Sequence, residues 1–127
     1  MKTEILSEER LREFLSQFTG TEEYHRTNFG LLCLTDGMFS LCEAAGCYWL
    51  IDIVESVQSE QDIKNNKAFI VWRIEVNEDK SFKVTAWSDK PYESELLYEQ
   101  KGTYTDFPLA DFEFYQCDSV LVLKSEY

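Results

Sequence analysis

The stretch Phe69-Ile70-Val71-Trp72-Arg73-Ile74-Glu75-Val76 decides the fold, together with Phe82-Lys83-Val84-Thr85-Ala86-Trp87 after the five residues Asn77-Glu78-Asp79-Lys80-Ser81. Successive side chains of a strand point to opposite faces, so a period of two reads as a half-buried strand. Both runs have that period, and the residues between them have the composition of a hairpin loop. Pairing Val76 with Phe82 sets Ile74 opposite Val84 and Trp72 opposite Ala86 on one apolar face. The other face then opposes Glu75 with Lys83, Arg73 with Thr85, and Val71 with Trp87. Opposite charges meet across the ladder while the second face stays apolar, so the register is self-consistent.

Toward the C-terminus a third strand is expected within Glu95 to Thr105. A second hairpin follows, Phe112-Glu113-Phe114-Tyr115 and Val120-Leu121-Val122-Leu123 around Gln116-Cys117-Asp118-Ser119. Pairing Tyr115 with Val120 places Phe114 opposite Leu121 and Phe112 opposite Leu123. Toward the N-terminus lies a polar connection, Ser59 to Asn66. Before it, Gly37 to Gln58 is helical in pattern with two apolar faces, Met38/Leu41/Cys42/Ala45 and Leu50/Ile53/Val54/Val57. Their centres differ by roughly 120°, and Gly46 at the change of phase marks a kink or a corner between two helices. Phe29 to Thr35, bounded by Asn28 and Asp36-Gly37, reads as a short buried strand. Leu11, Phe14, Leu15 and Phe18 form one helical stripe, with Ser7 as N-cap and Gly20 as the stop. Helices first and strands after predict an α+β fold, the N-terminal helices packed on one face of an antiparallel sheet of about five strands. Residues 1–127 are read as a single globular domain.

Composition narrows the function. The chain has 127 residues, 44% of them hydrophobic, and a formal net charge of −12. That length supports a core without disulfide staples. The longest uncharged run, Thr27 to Thr35, falls well short of the ~20 residues a spanning helix needs. Met1 to Arg10 lacks the apolar core of a signal peptide. A cytoplasmic, acidic protein with no membrane partner is the expectation. No stripe of Lys and Arg is present, which argues against direct nucleic-acid binding. The acid is spread along the chain without a block of five like charges. Cys33, Cys42, Cys47 and Cys117 make no C-x-x-C pair and His25 is the sole histidine, so no metal, cofactor or disulfide framework is expected. On one helix Cys42 and Cys47 would lie about 140° apart.

Several pieces resemble an uncharacterised bacterial family found largely in cyanobacteria and on mobile elements. They are Phe18-Thr19-Gly20-Thr21 with Tyr24, Leu34-Thr35-Asp36-Gly37, Tyr48-Trp49-Leu50 with Asp52, Thr105-Asp106-Phe107-Pro108-Leu109, and Ser125-Glu126-Tyr127. The likeness spans nearly the whole chain and brings no assigned activity. It implies a compact bacterial domain carried by an accessory element.

His25 has no nucleophile signature beside it, so catalysis has little support. Thr35-Asp36-Gly37 precedes a helix start and could hold a polar ligand, which gathers Tyr24, His25, Arg26 and Asp36 as candidate binding residues. The same motif also reads as an Asp36 N-cap with Gly37 easing the turn. Phe69, Val71 and Trp87 make an apolar end on an otherwise polar sheet face, covered either by the chain itself or by a partner. The leading expectation is a non-enzymatic protein-interaction domain whose partner is another protein or a second copy in a homodimer. Alternatives are an acidic, DNA-mimic-like inhibitor of a nucleic-acid-binding protein, and a small-ligand binder or enzyme at Tyr24, His25, Arg26 and Asp36.

Overall fold

A computed structural model gives the structure of residues 7–127. Four helices are described, α1 (Glu8–Ser16), α2 (Asp36–Ala45), α3 (Tyr48–Ser56) and α4 (Gln61–Asn66). Seven strands accompany them: β1 (His25–Arg26), β2 (Cys33–Leu34), β3 (Ile70–Val76), β4 (Phe82–Trp87), β5 (Leu96–Gly102), β6 (Asp111–Cys117) and β7 (Val120–Leu123). They form one sheet in the order β1-β2-β7-β6-β3-β4-β5. The β3–β4 register runs from Val71 opposite Trp87 to Val76 opposite Phe82, as the alternation requires. Trp72, Ile70 and Ile74 are fully buried on the helix-covered face, with Phe114 and Leu121 beside them. The Trp72 indole donates to Gln116 Oε1 at 3.0 Å, and Gln116 exchanges hydrogen bonds with Gln58 just beyond α3. That leaves the polar atoms of this buried group satisfied.

The helical stretch breaks where its phase changes. Gly46 closes α2 in the left-handed region, φ 63°, and α3 starts two residues later. The break also brings Cys42 into contact with Cys47, against the separation a continuous helix implies. The Cys47 thiol and burial together push the Cys42 thiol well above the ordinary range. Both are free thiols.

Other expectations are corrected. Among the described residues the sheet has seven strands rather than about five, and it is mixed, because β2 pairs parallel to β7. Of Phe29 to Thr35 only Cys33–Leu34 is strand, since the residues before it form a protruding turn. The polar connection after α3 contains the helical turn and a half of α4, which buries Ile63. The C-terminal hairpin is displaced by two residues, with Cys117 opposite Val120 and Phe114 opposite Leu123. Asp118 takes a left-handed φ of 57°, so a two-residue turn replaces the expected four-residue loop. A shift of two preserves the faces, and Phe114 still points into the core. Among the described residues no helix is long and apolar enough to cross a membrane.

Candidate functional site

The β1–β2 hairpin stands at one end of the sheet. Its tip carries Phe29 and Leu31, which are 75% and 58% exposed. Gly30 between them has φ 73°, a left-handed turn that suits glycine. The turn is held by α3. Glu55 is 1% exposed. Its carboxylate accepts from Phe29 N at 3.1 Å, from Leu31 N at 2.9 Å, and from the Thr27 hydroxyl. Thr27 Oγ1 accepts in turn from Leu32 N at 3.2 Å. One helical turn earlier, Asp52 Oδ1 accepts from Asn28 Nδ2 at 3.0 Å. No cation lies within salt-bridge distance of Glu55 among the described residues. A buried carboxylate is costly unless hydrogen bonds satisfy it, and here the tip supplies them. Two apolar side chains are thus presented to solvent on a backbone that is locked from beneath.

Behind the tip, His25 Nε2 lies 3.0 Å from Asp36 Oδ1, and the His25 ring stacks on Phe39 at 4.2 Å. Asp36 Oδ2 accepts from Glu22 N at 3.0 Å. That backbone N–H, then His25, hold the Asp36 carboxyl below its usual range. Glu23, His25 and Asp36 bring one ligand atom each within 4.8 Å of one another, and these are the side chains that could hold a cation. The spacing of ligands along the sequence gave no sign of this cluster. Asp36 sits in the first turn of α2, where the helix dipole favours the carboxylate and opposes a cation.

The structure joins only half of the four candidate binding residues. His25 and Asp36 meet; Tyr24, 61% exposed, instead borders a depression with Thr21, Val120, Val122 and Tyr127. Arg26 lies against the tip, its guanidinium 3.8 Å from where a Cβ on Gly30 would stand. Thr35, rather than Asp36, is the N-cap of α2, accepting from Met38 N at 3.3 Å. The anion position at this helix start belongs to the chain's own Glu126. Its carboxylate accepts from Thr35 Oγ1 at 2.6 Å, Gly37 N at 3.1 Å and Leu123 N at 3.1 Å. Neither reading of Thr35-Asp36-Gly37 stands as made, since the cap is Thr35 and Glu126 occupies the helix start.

The apolar end of the outer sheet face is covered from within the chain. Val71 and Trp87 are 4% and 6% exposed. Tyr92 packs on Trp87 at 4.8 Å, and Phe69 lies 4.9 Å from Tyr115 and 5.5 Å from Tyr127. Phe69, Val71 and Trp87 therefore leave little free surface for a partner. The tip residues escaped the sequence reading because Phe29 and Leu31 fell into an apolar run. The signal was Gly30 between them, with Thr27 and Asn28 as turn formers ahead.

These features define an α+β domain with a braced apolar tip. Residues 9–127 match a family of unknown function, DUF6876, and the chain belongs to it. No curated protein and no solved structure matches the chain.

Proposed function

We propose that the chain is a non-enzymatic protein-interaction domain that engages a partner protein through the Phe29–Leu31 tip. The carrying observation is the buried Glu55 carboxylate, which accepts from the backbone and the hydroxyl of a turn whose Phe29 and Leu31 side chains stay exposed. Pre-organising a contact segment removes the entropy of ordering it on binding, and exposed aromatic anchors supply most of the energy of small interfaces. Arg26 lies against Gly30 and Asn28 is bonded to Asp52, so polar groups flank the tip and the matching surface is an apolar socket with a polar rim.

Two observations weigh against the alternatives. The outer sheet face mixes signs, Arg73 and Lys83 interleaving with Glu75, Asp111 and Glu113, which is unlike the single-sign surface of a nucleic-acid mimic. Tyr24 and Arg26 stand apart from the His25–Asp36 pair, which leaves a small-ligand site there without its lining.

The test is a pair of affinity purifications from native cells, one with the wild type and one with Phe29→Ser/Leu31→Ser. Both side chains are solvent-exposed, so the variant should keep its stability within about 0.5 kcal/mol. The expected outcome is a protein retained by the wild type and lost with the variant. An identical set of proteins retained by both would overturn the reading.

A further inference from the structure

The other end of the sheet is different in kind. β5 is its outermost strand, seven residues long and free of proline. Among the described residues its outward edge has no backbone partner. Such an edge is a template for another strand. Glu99 and Lys101 point to the outer face, opposite Thr85 and Lys83 respectively. Both are exposed, and neither has an opposite charge within 4.0 Å among the described residues. Lys101 faces a like charge across the strand, an arrangement that costs stability inside a single chain.

A second copy laid antiparallel on this edge, with the two-fold axis at Gln100, resolves that arrangement. Glu99 then opposes Lys101 of the second copy, and Lys101 opposes its Glu99. Sliding the copies by two residues in one direction sets Glu99 against Glu99, and in the other Lys101 against Lys101. Sliding by one turns outward residues against inward ones. The charges of β5 therefore select one self-pairing register.

We propose that the chain forms a two-fold homodimer by pairing its β5 edges, with reciprocal Glu99–Lys101 contacts fixing the register. This proposal rests on the edge and its charges and is independent of the tip. The pairing joins two sheets into one continuous sheet and carries the two tips to its far ends.

Sedimentation velocity tests it on the full chain at about 100 μM in about 0.1 M NaCl, where long-range repulsion is screened and a modest interface can form. The wild type should sediment as a dimer. Glu99→Lys alone and Lys101→Glu alone should each raise the dissociation constant about tenfold or more, since each turns both contacts repulsive. Glu99→Lys/Lys101→Glu together should restore the dimer, because the swap keeps the pairing. Thermal melts serve as the folding control. A monomeric wild type, a dimer indifferent to the single reversals, or a double variant no better than the singles would each overturn the proposal.

Discussion

Glu55 contributes to this fold in a way that a hydrophobic residue could not. A leucine at the same position would pack, but it would leave the N–H groups of Phe29 and Leu31 to find other acceptors. Gln presents a sharper comparison, because its amide keeps the shape and turns one acceptor oxygen into a donor facing an N–H group. Glu55→Gln should therefore cost about 1–3 kcal/mol, the penalty for a buried donor left unpaired. The loss reads out in urea denaturation, and faster exchange at the Phe29 and Leu31 amides localises it to the tip. Asp36 gives a second residue-level expectation through its lowered pKa. A carboxyl lowered below its usual 3.8 on folding contributes stability above that pH, and the contribution disappears as pH falls through the lower folded-state value. Asp36→Asn should thus be less stable than wild type at neutral pH. It should also lose less stability than wild type on acidification from about pH 4.5 to 2.5. Parallel acid-limb slopes for the two proteins would show that Asp36 carries none of this dependence.

At the scale of elements, legibility followed how far apart the determining residues lie. The β3–β4 hairpin was readable because both partners and the loop sit within one window, and two independent signals, charge and apolarity, agree on its register. The break at Gly46 was equally local. The C-terminal hairpin gave up its faces but not its register, since the left-handed Asp118 turn is a backbone choice that residue types alone leave open. What could not be read are contacts across long separations: the parallel β2–β7 pair, Glu55 under the tip, and Glu126 on the start of α2. The last makes a prediction. A Cβ on Gly37 would stand 2.5 Å from Glu126 Oε1 and 2.5 Å from Leu123 Cδ1, so the close approach of the C-terminal turn depends on that glycine. Glu126→Ala should cost about 1–3 kcal/mol through the unpaired Gly37 N–H. Gly37→Ala should cost a comparable amount by expelling the same carboxylate. The double variant should then fall clearly short of the sum, as expected for two routes to the loss of one contact. Strict additivity in urea melts would separate the glycine from the clamp.

For the whole molecule, the governing quantity is the net charge of −12, and it acts against the dimer that β5 invites. Strands lie about 4.8 Å apart, so two seven-stranded sheets joined at their edges have centres separated by about 34 Å. At that distance the repulsion between two such charges is about 6 kcal/mol in 0.01 M salt, where the screening length is roughly 30 Å. It drops to about 0.6 kcal/mol in 0.1 M salt, where that length is roughly 10 Å. The two Glu99–Lys101 contacts are exposed pairs worth about 0.2–1 kcal/mol each, and at such close range salt weakens them less than it weakens the long-range term. Repulsion therefore wins at low salt and nearly vanishes at moderate salt. Dimer affinity should rise steeply between about 0.01 and 0.1 M NaCl and flatten beyond it, measured by sedimentation at fixed protein concentration. The Glu99→Lys/Lys101→Glu variant, which has the same net charge, should follow the same curve. An affinity that instead declined across this range would mean that local ion pairs outweigh net charge, and with it that the acid is distributed away from the joined edges.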